Sequence, residues 1–189
     1  MNKGETNMKT IKVNSIDESK YSKELIDLYI SAFPREERMP IDLLKSATLE
    51  KKLEVNTYED ENHFIGFTVV INNENNIYLY YLATNDSVRN KGYGHQIIDV
   101  IKNEYRDKTI MLCAEHIDGN ESPDDIKIRR QKFYKRNGFL ETNIIINEFG
   151  VRYDLLVTQQ KICPNDYLIS MGKIVDPEIL KKFVTIEKQ

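Results

Sequence analysis

The sequence has little of what defines several specialised protein classes. It contains two cysteines (Cys113 and Cys163), no tryptophan, five prolines and eight glycines in 189 residues. Two cysteines cannot build the disulfide framework of a small secreted protein, and so few prolines and glycines exclude collagen-like and low-complexity chains. We therefore expect a folded protein with reduced thiols, and we predict a cytoplasmic location.

Long hydrophobic runs are also missing. The longest apolar run spans residues 77–83, whereas a membrane-spanning helix needs about 20 apolar residues. The opening residues, MNKGETNMKT, contain no apolar stretch of the kind found in a secretory signal. From these two absences we expect no membrane partner, and we predict a loose N-terminal tail over residues 1–8.

The charge balance excludes broad nucleic-acid binding. The chain has 27 Lys and Arg against 30 Asp and Glu, for a formal net charge of −3. A nucleic-acid partner needs a concentrated basic face, so we expect none. Hydrophobic residues make up 40% of the chain, which suffices for one folded domain with a buried core.

Hydrophobic spacing alternates between the periods of helices and strands. Helices are predicted over residues 18–33, 41–48, 94–105 and 126–137, and strands over 53–58, 64–71, 77–83, 109–115, 140–149 and 151–158. Gly138 is expected to close a helix, Gly150 to turn a hairpin, and Asp176 with Pro177 to open a last helix. We predict a mixed α/β domain over residues 9–158, with a strand-and-helix extension over 159–189 packed on it.

The most informative segment joins the apolar strand at 77–83 to the next helix. Its hexapeptide at 89–94 reads RNKGYG. The first amides of a helix and the helix dipole attract an anion, glycines let a phosphate approach, and Arg89 and Lys91 add positive charge. The same residues would also suit a plain basic turn. The Walker A pattern is absent, and Ile97 stands where a dinucleotide motif has its third glycine.

This hexapeptide matches in full the acyl-CoA loop of the GNAT N-acetyltransferases, Arg/Gln-x-x-Gly-x-Gly/Ala. Downstream, FYKRNGF at 133–139 matches the second mark of that family, a Phe/Leu-Tyr pair followed by Gly-Phe. The sequence thus resembles the superfamily over residues 18–158, and AFPREERMP at 32–40 is similar to a bacterial subgroup. The resemblance implies the GNAT acyltransferase fold, a central and mostly antiparallel sheet flanked by helices.

The resemblance also implies an activity. An N-acetyltransferase moves an acetyl group from acetyl-CoA to a primary amine by direct attack in a ternary complex, and it uses no metal. Tyr134 matches the general acid that protonates the leaving CoA thiolate, whereas Lys127 replaces an asparagine that touches pantetheine in many members. The residues implied to bind acetyl-CoA are Leu82, Ala83, Thr84, Arg89, Asn90, Lys91, Gly92, Tyr93, Gly94 and His95.

The reaction further requires a base, because an amine must lose a proton before it attacks the thioester. Glu115, at the end of the predicted strand 109–115, is the first candidate and His116 is the second. Either residue would equally mark the point where a buried strand meets solvent. Glu36 and Glu37 would join Glu115 in presenting negative charge to a cationic amine.

Two other functions fit the same pattern. One is a non-catalytic acyl-CoA-binding sensor or interaction module on the same fold, and the other is a nucleotide-binding protein that uses the GYG turn.

For an N-acetyltransferase, the expected acceptor is a small-molecule or peptide amine. An aminoglycoside, a polyamine, an amino acid and a protein N-terminus all stay open. Edge strands near the C-terminus are compatible with a homodimer.

Overall fold

The computed structural model describes residues 8–159 and 161–188. Its strands are β1 (Lys9–Val13), β2 (Glu54–Asp60), β3 (His63–Asn72), β4 (Asn76–Thr84), β5 (Thr109–Glu115), β6 (Leu140–Glu148), β7 (Val151–Val157) and β8 (Val184–Lys188). Its helices are α1 (Ser22–Ala32), α2 (Ile41–Leu49), α3 (Tyr93–Glu104), α4 (Ile126–Arg136), α5 (Pro164–Met171) and α6 (Pro177–Phe183). Short 3₁₀ turns lie at Arg35–Glu37 and Asp86–Val88.

The strands form a sheet in the order β1-β2-β3-β4-β5-β7-β6-β8. The pairs β1–β2, β2–β3, β5–β7, β6–β7 and β6–β8 are antiparallel, and β4–β5 is parallel. The predicted fold class, a mixed and mostly antiparallel sheet with flanking helices, is therefore confirmed. The chain divides into two compact units. Unit 1 holds the described residues up to Ile71 together with Tyr80–Val100, and unit 2 holds Asn72–Leu79 and the described residues from Ile101 onward.

Unit 1 begins with an antiparallel meander. The β2–β3 turn is made by Glu61 and Asn62, whose φ angles of 49° and 62° suit a tight hairpin. The sequence pattern missed β1, because in this edge strand only Val13 is buried and two of its five residues are lysines. An edge strand with lysines and a single buried side chain gives no clear period-two signal.

The core of unit 1 is rich in aromatic rings. Leu25 and Tyr29 of α1 are fully buried. The ring of Tyr81 lies 5.1 Å from that of Tyr29 and 4.8 Å from that of Phe33. The Tyr81 hydroxyl donates to the backbone oxygen of Glu37 at 2.8 Å. The charged segment after α1 is thus anchored to β4.

Unit 2 is organised around β5. The parallel ladder pairs Asn76–Tyr78 with Thr109–Met111, and β7 pairs with β5 on its other side. The predicted β6–β7 hairpin turns at Phe149 and Gly150, with φ angles of 48° and 88°. Asp176 caps α6 by accepting a hydrogen bond from the Glu178 amide at 2.8 Å, as predicted for that helix.

The C-terminal part of unit 2 contains one element that the sequence pattern missed. Helix α5 covers only Pro164–Met171 and follows Cys163, which is not a typical N-cap residue. The last strand, β8, pairs antiparallel with β6. Among the described residues, no helix has both the length and the apolar character needed to cross a membrane.

Candidate functional site

The segment between β4 and α3 in unit 1 adopts the backbone shape expected of an anion-binding loop. After Thr84, the Asn85 side chain accepts a hydrogen bond from the Ser87 amide at 3.1 Å and starts a 3₁₀ turn. The chain then enters the left-handed region at Asn90 and Gly92, with φ angles of 63° and 86°. Glycine adopts this conformation without strain, and asparagine tolerates it.

The start of α3 presents backbone amides. Gln96 donates to the Gly92 carbonyl at 3.2 Å, so the amides of Gly92, Tyr93 and Gly94 precede this bond. A Cβ atom at Gly92 would meet no heavy atom within 4 Å. Open space, helix amides and the positive end of the helix dipole therefore coincide at Gly92, an arrangement that suits a phosphate group.

The predicted basic side chains lie on the exposed side of this loop. Arg89 and Lys91 are both exposed. Arg89 forms an ion pair with Asp86, with 2.6 Å between Nη2 and Oδ1, and His95 lies 3.3 Å from the carboxylate of Asp99. An incoming anion therefore has to compete with Asp86 for the Arg89 guanidinium.

Tyr93 fixes the start of α3 to the β2–β3 hairpin. Its hydroxyl donates to Oδ2 of Asp60 at 2.6 Å. This hydrogen bond, with a smaller contribution from burial, raises the pKa of Tyr93 above its ordinary value. Tyr93 and Lys91 also border a cavity of about 520 Å³ together with the β2–β3 turn. The loop pattern indicated Tyr93, but nothing local in the sequence indicated Asp60.

Gly66 of β3 fixes the end of β4. A Cβ atom at Gly66 would lie 2.2 Å from the carbonyl oxygen of Ala83 and 3.0 Å from the Cα of Thr84. The Asn85 amide donates to the Ile65 carbonyl at 2.7 Å just beyond this point. Only glycine allows such a close approach of two backbones. Sequence reasoning missed Gly66, although an isolated glycine inside a strand pattern is a usable signal.

In unit 2, Glu115 ends β5 and is held by helix α4. Its Oε2 forms a short ion pair with Nη1 of Arg130. Its backbone carbonyl accepts a hydrogen bond from the Gln131 side chain at 3.1 Å. The first candidate for the base is thus also an anchor for the helix that carries Tyr134.

Tyr134 lies in the last turn of α4 and is half-buried. Its ring contacts Phe133 and Phe139, with centroid distances of 5.4 and 5.8 Å. Burial raises the pKa of Tyr134 above its ordinary value of 10, while the charge of Arg130 acts in the opposite direction. The hydroxyl therefore stays protonated at neutral pH, as a proton donor must. Gly138, with a φ of 76°, closes the helix as predicted.

His116, the second candidate for the base, follows β5 directly. Its Nδ1 lies 2.7 Å from Oδ1 of Asp154 on β7, and Asp154 also accepts a hydrogen bond from Gln131 at 2.5 Å. Sequence reasoning found neither partner. Asp154 is partly buried and directly precedes the apolar end of β7, residues 155–157. A carboxylate next to such a buried run is the signal that would have indicated it.

The surroundings of Cys113 are those of a residue with a structural role. Burial raises the pKa of the Cys113 thiol far above its usual range, which is typical of a core cysteine and not of a nucleophile. Among the residues that the structure describes, no three His, Cys, Asp or Glu side chains group together in a way that could hold a metal ion.

Comparison with known sequences identifies one family. Residues 53–141 match the sequence profile described as an acetyltransferase (GNAT) domain. This segment runs from the residue before β2, through the β4–α3 loop and α4, to the second residue of β6. No curated protein sequence matches the chain.

Solved structures with a similar fold come from several bacteria. A Bacteroides thetaiotaomicron protein described as an acetyltransferase from the GNAT family has a TM-score of 0.69 at 22% identity, covering 87% of this chain and 94% of its own. A Bacillus subtilis acetyltransferase in complex with CoA gives 0.57 at 18%, covering 79% and 97%. An aminoglycoside 6'-N-acetyltransferase from Enterococcus faecium gives 0.56 at 15%, covering 82% and 99%. At these identities the likeness shows a shared fold.

Proposed function

This chain belongs to the GNAT acetyltransferases, since residues 53–141 match that domain, and it is thereby an acyltransferase; on this premise we propose that it acetylates a primary amine. The amine attacks the thioester of acetyl-CoA directly while both substrates are bound. The C–N bond forms, the C–S bond breaks, and CoA leaves as a thiolate that must gain a proton.

The observation that carries this proposal is the loop between β4 and α3. We assign the CoA pyrophosphate to the amides of Gly92, Tyr93 and Gly94, where the α3 dipole favours negative charge. Arg89 exchanges its contact with Asp86 for a phosphate oxygen, and Lys91 adds a second charge. Asn90 and His95 flank these amides. The B. subtilis relative, whose structure contains CoA, supports a CoA site on this fold.

The end of β4 is proposed to hold the acetyl arm. Leu82, Ala83 and Thr84 directly precede the loop, and the backbone of Gly66 packs closely against Ala83 and Thr84. A carbonyl that develops negative charge needs a hydrogen-bond donor, and a backbone amide of this segment is the simplest one. The rigid attachment at Gly66 would keep such a donor in place throughout the reaction.

Tyr134 is the proposed general acid. Its raised pKa keeps the hydroxyl protonated across the neutral range. The thiolate of CoA takes that proton as the C–S bond breaks. Glu115 and His116, neighbours at the end of β5, both stay candidates for the base. Glu115 acts directly or through a water with the carboxylate that Arg130 also engages, and His116 is the alternative.

The acceptor is proposed to be a small-molecule amine. The E. faecium protein is named for transfer to an aminoglycoside, and such a cationic acceptor would favour acidic surroundings. The 3₁₀ turn after α1 provides Glu36, which is exposed, and Glu37, which is partly buried. A peptide amine remains the alternative acceptor class.

We further propose a cytoplasmic enzyme that needs neither a membrane nor a nucleic acid as partner. Both cysteines are free thiols in the structure, which fits a reducing compartment. The sheet ends at β8 on one side, so a homodimer through this edge stays a prediction.

The test is a transfer assay with a panel of amines. Purified protein is incubated with acetyl-CoA and spermidine, kanamycin, lysine or a short peptide, and CoA release is measured together with product mass. We expect one of these classes of amine to be acetylated. The substitution Tyr134→Phe should lower kcat by about 10²-fold or more without weakening acetyl-CoA binding. Tyr105→Phe is the matched control, because no step uses that tyrosine. Acetyl-CoA binding without transfer to any amine would contradict the proposal.

A further inference from the structure

Unit 2 contains a histidine–aspartate pair with a defined orientation. The Nδ1 atom of His116 lies 2.7 Å from Oδ1 of Asp154, and the β5–β7 register places Asp154 opposite Ala114. A carboxylate can only accept a hydrogen bond. In the neutral ring, therefore, the proton is on Nδ1 and the basic lone pair is on Nε2.

Three hydrogen bonds, made by residues of β7 and α4, hold this ring in place. The Asp154 carboxylate accepts a second hydrogen bond from Gln131 of α4, whose side chain is buried with only 4% exposed. The His116 backbone amide donates to the Arg152 carbonyl of β7 at 2.9 Å. The His116 side chain is itself only 15% exposed. A ring fixed through Nδ1, the backbone and a buried amide is preorganised for proton transfer at Nε2.

A bulge in β6 opens space beside this pair. Glu141 pairs with Leu156 and the next pair is Ile145 with Asp154, so β6 advances four positions while β7 advances two. Asn143 takes a left-handed φ of 57° within the bulge. Bulges of this kind commonly redirect side chains next to functional sites. The result is a cavity of about 420 Å³ lined by His116, Gln131, Thr142, Asn143 and Asp154.

The position at the end of β5 is also suited to a functional group. β5 pairs in parallel with β4, and ligands of parallel strands bind beyond their carboxyl ends. Glu115 stands at the same end, but Arg130 engages its carboxylate and Gln131 its carbonyl. His116, in contrast, lines the cavity and has a ring that a carboxylate orients.

We propose that the cavity admits the acceptor amine and that Nε2 of His116 takes the proton which the amine loses, with Asp154 as the positioning residue. The proposal rests on the proposed function. The amine nitrogen bonds to the acetyl carbon and passes its proton to His116, while the CoA thiolate takes its proton from Tyr134. Exchange with water then restores both side chains.

Several charged side chains lie close to the ring. Asp154 faces Nδ1, and Oδ1 of Asp118 lies 3.7 Å from Nε2. Arg152 holds Asp118 at 2.9 Å, which draws that carboxylate toward the guanidinium. At the edge of the cavity Lys135 and Glu141 pair with each other at 2.6 Å. The charges from β6 and α4 therefore largely compensate each other.

The test compares three variants at a saturating concentration of acetyl-CoA, with the amine that the panel identifies. His116→Asn is expected to lower kcat/KM for the amine by about 10²–10³-fold and to remove the acid limb of its pH profile. Asp154→Asn is expected to lower kcat by about tenfold or more and to shift that limb. His63→Asn, an exposed histidine on the β2–β3 hairpin, is the matched control and should behave as the unsubstituted protein.

Chemical rescue separates a proton acceptor from a structural histidine. In His116→Gly, added imidazole should restore part of the lost rate, and acetyl-CoA titration should show that the variant is folded. Unchanged kcat/KM and an unchanged acid limb in His116→Asn would overturn the inference. So would a folded His116→Gly variant that imidazole does not rescue. A different result, unsubstituted protein that binds acetyl-CoA but acetylates no amine, would contradict the proposed function itself.

Discussion

The two units hold their candidate functional groups by different means. In unit 1 the backbone positions the candidate groups, through the left-handed φ angles of Asn90 and Gly92 and the close approach of Gly66 to Ala83. In unit 2 charged side chains position them, as in the ion pair of Glu115 with Arg130. Unit 1 should therefore be sensitive to an added Cβ atom, and unit 2 to a change of charge.

The difference also follows the chemistry that each unit would perform. A pyrophosphate carries its charge at every working pH, so fixed amides suit it without any titrating partner. Proton transfer needs side chains whose protonation state is controlled by neighbours. Each of the following substitutions tests one side of this comparison.

The largest effect is expected for Gly66→Ala. The new Cβ atom would lie 2.2 Å from the Ala83 carbonyl oxygen, so β3 and β4 must move apart at the end that leads into the loop. We expect a loss of about 3 kcal/mol in unfolding free energy, measured by denaturant titration. Gly172→Ala is the control, because Gly172 has ordinary helical angles and its Cβ atom would lie 3.1 Å from the nearest backbone oxygen, that of Leu168, instead of 2.2 Å. Equal stability of the two variants would show that the close approach at Gly66 does not fix the end of β4.

The next effect is expected for Arg130→Gln in unit 2. The substitution leaves the Glu115 carboxylate, whose side chain is 15% exposed, without its cation. We expect about 1–2 kcal/mol of destabilisation, since the pair is partly exposed to solvent. Raising the salt concentration should reduce the difference from the unsubstituted protein. A salt-independent loss would indicate packing instead of charge.

Gly92→Ala should affect ligand binding more than folding. At a φ of 86° an alanine costs about 1 kcal/mol, although no neighbouring atom blocks its side chain. In the free protein the exposed loop avoids this cost by leaving the left-handed φ, so thermal stability changes little. Bound acetyl-CoA requires that conformation, so its affinity should fall by about fivefold. Calorimetry on this variant and on Gly172→Ala separates the effect on binding from the effect on folding. Unaltered affinity in Gly92→Ala would contradict the assignment of the CoA pyrophosphate to this loop.

A smaller effect, in the opposite direction, is expected for Asp86→Asn. This exposed carboxylate competes with phosphate for Arg89. Its removal should tighten acetyl-CoA binding by about twofold at low ionic strength, and the gain should vanish in an Arg89→Ala background. A gain that persists there would mean that Asp86 acts through another residue.

The smallest effect concerns pH. Burial raises the pKa of Tyr134 above 10, so the hydroxyl is protonated below that pKa and lost as a donor only as the pH rises through it. The rate should therefore show no loss from Tyr134 up to about pH 10. A basic limb near neutral pH that disappears in Tyr134→Phe would contradict this assignment.

Sequence reasoning succeeded where short-range pattern determines structure. The RNKGYG loop, the helix predicted over residues 18–33, and the hairpin at Gly150 each depend on residues within a few positions of one another. Local conformation at such places follows from glycine, helix periodicity and turn chemistry, and the structure has all three where they were predicted.

The contacts that sequence reasoning missed join residues far apart in the chain. Gly66 meets Ala83 and His116 meets Asp154 between neighbouring strands, and Tyr93 of α3 meets Asp60 at the end of β2. Register is set by the whole sheet, so one sequence does not reveal these partners. Strand β1 was missed for a different reason, since its lysines and single buried residue hide the alternation.

An acetyl-CoA site at the β4–α3 loop is tested most directly by calorimetric titration with acetyl-CoA, CoA, ATP and NAD. We expect selective binding of the two CoA species and clear weakening in an Arg89→Ala, Gly92→Ala double variant. Equal binding of ATP, or CoA binding that the double variant leaves intact, would contradict this site.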